Sequence, residues 1–246
     1  MPKTDDPQDE LFATPQDPTP EQPQEETDAP APAEEAPAPA GDVPDIRDRG
    51  PFGRLMDDNF LKFAAYSICD RALPTVEDGL KPVQRRILHA MWEKDDGRFS
   101  KVAGVVGNTM HYHPHGDAAI KDAIVTLANK RYLIEGQGNF GNILTGDEAA
   151  AGRYIECRLT KLAREQLFSP KITDYVPSYD GRNKEPVLLP AKVPLCLMLG
   201  VDGIAVGLST AVLPHNFIEL LQAEIEILKG HPCPTLLPDF ITGGEM

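Results

Sequence analysis

The residues with the clearest chemical potential are Arg153 and Tyr154, which adjoin each other after an Ala-Ala-Ala-Gly run. A free phenol has a pKa of about 10, so it attacks only with help in losing its proton. Fixed cations stabilise the charge that builds on phosphate oxygens during such an attack, and a planar guanidinium matches a phosphate. The pair could therefore attack a phosphodiester, but a tyrosine on a strand is more often a packing residue.

The local pattern around this pair predicts a strand followed by a helix. Residues 153–159 alternate between apolar and polar side chains, which places Tyr154 on the polar face of a strand. Strict alternation would aim Arg153 away from Tyr154, so the pair needs a turn at Gly152. Thr160 is then the expected N-cap of the helix.

Upstream, two helices separated by a short break are expected to lie before this strand. Ser100 is the predicted N-cap of the first helix, whose buried face falls within 102–109, and the second begins at Asp117 after the break at 111–116. Helix, Gly-containing turn and helix is a DNA-binding pattern, although many helical hairpins share it. On the second helix, the residues expected to face outward are Asp117, Ala118, Lys121, Asp122 and Val125.

A further helix is expected to begin at Pro82, because proline fits the first turn. Its apolar stripe includes Val83, Ile87, Ala90 and Met91, with Gln84, Arg85 and His89 largely off the stripe. Basic charge gathers around the start of this helix, contributed by Arg71, Lys81, Arg85 and Arg86. Taken alone, such a face is usually just solvated.

The break contains His113 and His115, which fit a metal pair, ordinary loop histidines or phosphate contacts. No third ligand is near and Pro114 separates the two, so we favour phosphate contact. The Gly-rich run 136–142 lacks the Lys-Ser/Thr pair of a P-loop, which argues against nucleotide binding in this chain.

The composition separates an acidic tail from a nearly neutral remainder. Residues 1–45 hold 13 Asp and Glu against one Lys, a charge of −12 within the net −14 of the 246 residues. The rest carries −2 and 23 of the 24 Lys and Arg, enough for a local basic patch. The Pro- and Glu-rich tail is predicted to be disordered, and we favour a solvated tail over an arm that competes with DNA.

Other features limit the class of protein. The four cysteines have no short spacing, which is typical of reduced thiols. No run of about 18 apolar residues and no signal-peptide pattern is present, so we expect no membrane contact and a cytoplasmic location.

After a domain boundary near Asp174, short apolar runs at 186–190, 195–199 and 203–207 predict strands. A helix is then expected to begin with Phe217, after Asn216, and to stop at Gly230. The lack of a terminal element suggests part of a longer protein.

Six blocks of sequence stand in the order of one family. They are RALP at 71–74, DGLKPVQRR at 78–86, YHPHGD at 112–117, GQGNFG at 136–141, AAAGRY at 149–154 and GIAVG at 203–207. Together they resemble the DNA breakage–reunion subunit of bacterial type IIA topoisomerases, the A subunit of DNA gyrase or topoisomerase IV. The resemblance covers residues 52–246.

The resemblance implies an α+β fold with three parts. Residues 1–45 would be the disordered tail, and residues 46–173 a winged-helix (helix-turn-helix plus β-wing) breakage–reunion domain. Residues 174–246 would begin an α/β tower domain, truncated here. The remaining tower, a coiled coil and a C-terminal dimer gate would follow in family members, so stable dimerisation of this segment alone is not expected.

The resemblance also implies roles for individual residues. Tyr154 would be the nucleophile, with Arg153 stabilising the transition state and Arg71 the third catalytic residue. Ile204 would enter the minor groove as a wedge that bends DNA, although a core β residue is the alternative. The other residues expected to contact DNA are Lys81, Arg86, His113, His115 and Lys121.

The same resemblance implies partners and cofactors. The chain would bind double-stranded DNA, associate with the nucleoid and form a homodimer within an A2B2 heterotetramer with a B subunit. Mg²⁺ and ATP would be bound mainly by that B subunit, because no acidic constellation or ATP motif occurs here and no residue of this chain is assigned to a metal. Gln84 favours topoisomerase IV over gyrase, although this preference depends on a single residue.

One position departs from the family pattern. Ala118 stands where the family commonly has Ser, which helps to hold quinolone drugs through a metal–water bridge, whereas the acidic anchor Asp122 is retained. Reduced quinolone trapping is therefore expected. Two rival functions remain open at this point: a helix-turn-helix DNA binder without chemistry, and a truncated scaffold or inhibitor.

Overall fold

Seven α-helices and seven short strands make up residues 50–243, which are the part of the chain that the computed structural model describes. The predicted disordered tail, residues 1–45, lies outside the described residues. The helices are α1 Gly50–Tyr66, α2 Pro82–Glu93, α3 Val102–Thr109, α4 Asp117–Asn129, α5 Lys161–Leu167, α6 Leu195–Leu199 and α7 Phe217–Leu228. The strands are β1 Ser100–Lys101, β2 Ile134–Gln137, β3 Glu156–Leu159, β4 Tyr175–Pro177, β5 Lys184–Pro186, β6 Val201–Ile204 and β7 Ser209–Val212.

The described strands pair antiparallel in three small sheets. The first sheet has the order β1-β3-β2, and Cys157 of β3 lies between Ser100 on one side and Gly136 on the other. The other two sheets are the hairpins β4–β5 and β6–β7. Helices combined with small antiparallel sheets confirm the α+β class.

The core forms where α2, α3 and α4 pack on one another and on the first sheet. The periodic positions supply its centre: Ile87 of α2 and Ile120 and Ile124 of α4 are fully buried. The predicted starts of α2 at Pro82 and α4 at Asp117 are confirmed, as is the cap of α5, where Thr160 Oγ1 accepts from Ala163 N at 3.1 Å. Apolar spacing therefore identified the central helices.

A buried ion pair overturns one prediction about α2. Arg85 was expected off the buried stripe, in the basic cluster, but it is 7% exposed and donates to Asp78 through Nε at 2.6 Å and Nη2 at 2.9 Å. Asp78 also accepts the backbone N–H groups of Leu80 and Leu189, both at 3.1 Å. His89 is likewise buried, with its Nε2 3.0 Å from Lys184 O.

Three further expectations differ from the structure. The N-cap of α3 is Lys101, because Ser100 belongs to β1 and pairs with Cys157. The apolar run 195–199 is the helix α6 and not a strand, and β5 ends at Pro186, before most of the run 186–190. Short apolar runs fit either a buried strand or a buried helix, so periodicity could not separate them.

Helices long and apolar enough to cross a bilayer are absent from residues 50–243.

Candidate nucleic-acid interface

Tyr154 lies in a turn immediately before β3, not on the strand as predicted. The strand begins at Glu156, and the turn is closed by Tyr154 N donating to Ala151 O at 2.9 Å. The turn leaves the Tyr154 side chain 65% exposed and brings the guanidinium carbon of Arg153 to 4.6 Å from the centre of its ring. Arg153 and Tyr154 therefore lie on the same side of the turn. The predicted turn at Gly152 allows this arrangement, which strict strand alternation would not.

The turn is attached to the start of α3 by two backbone hydrogen bonds. Ala103 N donates to Gly152 O, and Val102 N donates to Ile155 O, both at 3.0 Å. A Cβ atom added at Gly152 would lie 3.3 Å from Ala103 N, a tight contact that shows how closely the turn packs on the start of α3. The N-terminus of α3 therefore fixes where Tyr154 and Arg153 stand.

A shallow groove of about 520 Å³ connects this turn with α4. Arg153 of the turn lines the groove, together with Ala118 and Lys121 of α4. The remaining lining is mostly apolar and includes Val106 of α3. Asp122 is exposed one turn beyond Ala118 on the same helix face. The groove thus joins the predicted nucleophile turn with the predicted drug position.

A second group of predicted residues gathers around the loop between α3 and α4. The rings of His113 and His115 stack with centroids 4.0 Å apart, and His115 Nε2 lies 2.8 Å from Tyr66 Oη. Arg71 follows in the π-helical segment Ser67–Ala72 and places its guanidinium 6.0 Å from the Tyr66 ring. Arg71, His113 and His115, far apart in sequence, are thus neighbours.

Arg86 joins this group but is held by the protein. Its Nε and Nη2 donate to the two carboxylate oxygens of Glu185 at 2.5 and 3.0 Å, and Nη1 lies 3.0 Å from His113 Nδ1. Three of its nitrogens are therefore used within the protein. Direct contact of Arg86 with DNA remains a prediction.

Burial and neighbouring cations keep both loop histidines neutral. Loss of hydration on burial is the largest cause, and His115, Arg86 and Arg71 add to it, so the pKa of His113 falls to about 4. Burial, Arg71 and Arg86 also lower the pKa of His115. Near neutral pH these rings act as hydrogen-bonding groups, while the positive charge comes from the arginines.

The depressed pKa of His113 predicts a pH-dependent stability. The unfolded chain binds a proton at His113 near pH 6.5, whereas the folded chain binds it only near pH 4, so stability falls as the pH drops through this window. Urea unfolding should show a loss from His113 of about 2 kcal/mol between about pH 7 and about pH 5. His113→Gln should lose correspondingly less over the same range, and equal losses would contradict the assignment.

The hairpin β6–β7 carries Ile204 next to the Arg71 segment. Lys81 Nζ donates to Asp202 O at 2.5 Å, and burial lowers the pKa of Lys81, with Asp202 opposing the shift. A Cβ atom at Gly203 would lie 2.3 Å from Ala72 O, so the strand and the π-helical segment are in direct backbone contact. Ile204 projects from this hairpin with 85% of its surface exposed, so it is not a core residue.

Gly203→Ala is expected to separate the hairpin from the Arg71 segment, because the new methyl group overlaps a backbone oxygen that cannot move alone. We expect a loss of about 1–3 kcal/mol in urea unfolding. Gly104→Ala, in the middle of α3 with no atom within 4 Å of the added methyl, is the matched control and should be neutral or stabilising. Equal stabilities of the two variants would argue against this contact.

The predicted residues thus form two groups that lie apart within residues 50–243. Among residues 50–243, no hydrogen bond, ion pair or ring contact links the Tyr154 turn to Arg71, Lys81, His113 or His115. Sequence reasoning missed Tyr66, Glu185 and Asp202. Their partners lie 49 to 121 residues away in sequence, and no local pattern signals them.

Residues 50–243 bring together no group of three or more His, Cys, Asp or Glu side chains that could hold a metal ion. The residues described do not fit a magnesium site, and the stacked pair His113 and His115 uses one nitrogen each on Arg86 and Tyr66. We therefore derive no chemical step through a metal bound by these residues.

Comparison with known proteins gives consistent matches. The family model for the A subunit of DNA gyrase/topoisomerase IV matches residues 71–246. The A subunit of DNA topoisomerase 4 from Borreliella burgdorferi is 57% identical over 190 residues, which cover 77% of this chain and 30% of that protein. The protein of the same name from Caulobacter vibrioides is 45% identical over 222 residues, covering 82% of this chain and 29% of that protein.

A relative named as a gyrase subunit is about as similar as the Caulobacter vibrioides protein. The A subunit of DNA gyrase from a Nocardioides species is 44% identical over 213 residues, covering 79% of this chain and 23% of that protein. The chain therefore spans less than a third of the length of each of these relatives.

Proposed function

Because the chain belongs to the family formed by the A subunits of DNA gyrase and topoisomerase IV, we propose that it is the DNA-cleaving and rejoining part of a type II topoisomerase. The observation that carries the proposal is the turn before β3, which holds an exposed phenol beside a guanidinium. A packing tyrosine would be covered, whereas Tyr154 is open to a ligand as large as duplex DNA. The 57% identity to the topoisomerase 4 A subunit of Borreliella burgdorferi, against 44% to the gyrase A subunit of the Nocardioides species, favours topoisomerase IV over gyrase.

The proposed reaction is a reversible transesterification. Tyr154 Oη loses its proton and attacks the phosphorus atom of a DNA phosphodiester, forming an Oη–P bond while one bridging P–O bond breaks. The released sugar oxygen takes up a proton, and the reverse steps restore the DNA strand. One ester replaces another, so resealing needs no external energy.

The cations of the chain would act on different parts of this reaction. Arg153 can place its planar fork on the non-bridging oxygens, where charge develops in the transition state. The DNA backbone around the cleaved bond would be held by Arg71, Lys81, His113 and His115. Lys121 on α4 would contact a neighbouring phosphate. Because no direct contact among the described residues links the two groups, the DNA itself would connect them.

The rest of the machinery would come from other chains. A B subunit would supply ATP hydrolysis and the carboxylates for Mg²⁺, which polarises a phosphate oxygen when bound. In an A2B2 assembly, the two copies of this chain would each cut one DNA strand. The assembly would act in the cytoplasm, on the nucleoid. Within this chain, α3, α4 and the sheet β1-β3-β2 support a winged-helix domain over residues 46–173, followed by the beginning of a tower domain.

A plasmid cleavage assay tests the proposal. The chain is mixed with the B subunit, Mg²⁺, ATP and supercoiled plasmid, and detergent stops the reaction. We expect linear DNA with protein covalently attached, and no such product from Tyr154→Phe. Absence of the adduct with the wild-type chain, combined with ordinary DNA binding, would instead support a non-catalytic helix-turn-helix binder or scaffold.

Ala118 gives a separate prediction about drug response. Its methyl group lines the same groove as Arg153 and offers no hydrogen bond, whereas Asp122 on the next turn keeps its carboxylate. Ala118→Ser should increase quinolone-trapped cleavage by about tenfold or more, because one charge-assisted hydrogen bond is regained. Ala119→Ser is the matched control on the same helix, and equal drug potency of Ala118→Ser and wild type would contradict the prediction.

A further inference from the structure

The hydrogen bond between Arg86 and His113 fixes which ring nitrogen of His113 carries the proton. Arg86 Nη1 lies 3.0 Å from His113 Nδ1. A guanidinium has five donors and no acceptor, so Nδ1 must be the acceptor in this bond. In a neutral imidazole the single proton then sits on Nε2. His113 is therefore locked in one of its two tautomers.

Glu185 holds Arg86 in the orientation that this requires. The carboxylate accepts from Arg86 Nε and Nη2 as a bidentate pair, which leaves Nη1 pointing at the histidine. The pair is mostly covered, with the Arg86 side chain 25% and the Glu185 side chain 12% exposed. A bidentate pair fixes direction as well as distance, so Glu185 on β5 determines where the Arg86 fork points.

The opposite nitrogen of His113 is available for a ligand. His113 Nε2 makes no hydrogen bond within residues 50–243, yet it is not among the fully buried polar atoms that lack a partner. The residue keeps 7% of its surface exposed, and Nε2 is the ring nitrogen that no hydrogen bond within the described residues occupies. Arg71 and His115 flank it. An N–H donor framed by a guanidinium suits a phosphate oxygen.

We infer that Glu185, acting through Arg86, is a positioning residue that presents His113 as a neutral Nε2–H donor to a DNA phosphate. The inference rests on the proposed function for the identity of the phosphate. It changes the expected role of Arg86, which orients His113 and does not itself grip DNA. It also assigns the histidine a directional hydrogen bond, while Arg71 supplies the charge.

The groups around His113 decide whether the ring stays neutral. Arg86 and Arg71 disfavour a second proton on the ring, and His115 does so from its stacked position. Glu185 contacts Arg86, and Tyr66 contacts His115. The charged and titratable groups that face the site from the elements packed there are Tyr66, Arg71, Arg86, Glu93, Tyr112, His115 and Glu185.

Nitrogen NMR of the whole chain, labelled at its six histidines, tests the tautomer directly. The His113 signals are identified by their loss in His113→Gln. We expect a protonated Nε2 and an unprotonated Nδ1 at neutral pH. Glu185→Gln should populate both tautomers, moving the two ¹⁵N shifts towards each other. Glu165→Gln, an exposed carboxylate 3.8 Å from Lys161, is the control and should leave them unchanged.

A pair of substitutions tests the donor. The amide nitrogen of Gln reaches the position of a histidine Nε2, whereas that of Asn reaches Nδ1. In the plasmid cleavage assay His113→Gln should retain about tenfold or more cleavage relative to His113→Asn. A cationic role would make both variants equally poor, and a donor at Nδ1 would favour Asn. Either result would overturn the inference.

The two readouts also separate this inference from the proposed function. If the wild-type chain forms no covalent adduct, the donor is read from NMR during titration with a short DNA duplex. A shift of His113 Nε2 with the tautomer retained supports the inference while the cleavage proposal fails. An Nδ1-protonated or doubly protonated ring at neutral pH, or no response of Nε2 to DNA, overturns the inference whatever the cleavage assay gives.

Discussion

Replacing Arg153 with Ala is expected to slow DNA cleavage by about 10²- to 10³-fold, because the variant loses a preorganised cation where charge develops in the transition state. The guanidinium lies 4.6 Å from the Tyr154 ring, so both groups can reach the same phosphate. Arg153→Lys keeps the charge without the planar fork and should fall between wild type and Ala. The measurement is the rate of covalent adduct formation at saturating DNA.

Two controls show whether this loss belongs to the chemical step. Lys161→Ala removes the same charge from an 87% exposed position on α5 and should leave the rate unchanged. DNA affinity and thermal unfolding of Arg153→Ala should stay close to wild type, since the side chain is exposed and its ring contact is with the exposed Tyr154. A rate loss matched by an equal loss of DNA affinity would assign Arg153 to binding alone.

Asp78→Asn is expected to destabilise the chain by about 3–5 kcal/mol, because it removes the charge from a fully buried partner of Arg85. The carboxylate accepts two bonds from Arg85 and the backbone N–H groups of Leu80 and Leu189. An amide can accept through one oxygen only, which leaves buried donors unpaired. Chemical unfolding followed by circular dichroism measures the loss.

The neighbouring carboxylate supplies the matched control. Glu77 is exposed, so Glu77→Gln should change the free energy of unfolding by less than about 0.5 kcal/mol. A loss below about 1 kcal/mol for Asp78→Asn would show that the Arg85 pair is not the anchor that the geometry indicates. Because Asp78 joins the loop before α2 to the segment that follows β5, partial unfolding of that segment would accompany the loss.

The helices that build the interface could be predicted because their apolar residues recur at helical spacing. α2 and α4 begin at Pro82 and Asp117 as expected, and Ile87 of α2 and Ile120 and Ile124 of α4 are fully buried. Burial of a charged residue follows a different logic. Arg85 and His89 look like surface residues in a helical pattern, and only the distant partners Asp78 and Lys184 O make their burial tolerable.

The site itself was predictable by type but not by geometry. The six motifs indicated Arg153, Tyr154 and the loop histidines. The alternation of 153–159 predicted a strand that begins at Arg153, whereas the chain forms a turn there and the strand begins at Glu156. That turn depends on hydrogen bonds from Val102 and Ala103, about 50 residues upstream. The bond from Arg86 to His113 and the pair with Glu185 depend on tertiary packing across 27 and 99 residues, which no local pattern encodes.

Tyr66 is a rival nucleophile that the geometry suggests. Its hydroxyl contacts His115 and its ring lies 6.0 Å from the Arg71 guanidinium, so it has a base and a cation beside it. Tyr154 has the more exposed side chain, at 65% against 39%. The motif AAAGRY and the family both favour Tyr154.

Mass spectrometry of the trapped covalent complex decides between these two tyrosines and tests most directly whether Tyr154 is the nucleophile. The detergent-stopped reaction is digested with nuclease and protease, and the peptide that retains a nucleotide is sequenced. We expect a nucleotide esterified to Oη of Tyr154 within the peptide that contains Gly152 and Arg153. A nucleotide on Tyr66 or on any other residue would contradict the assignment of Tyr154.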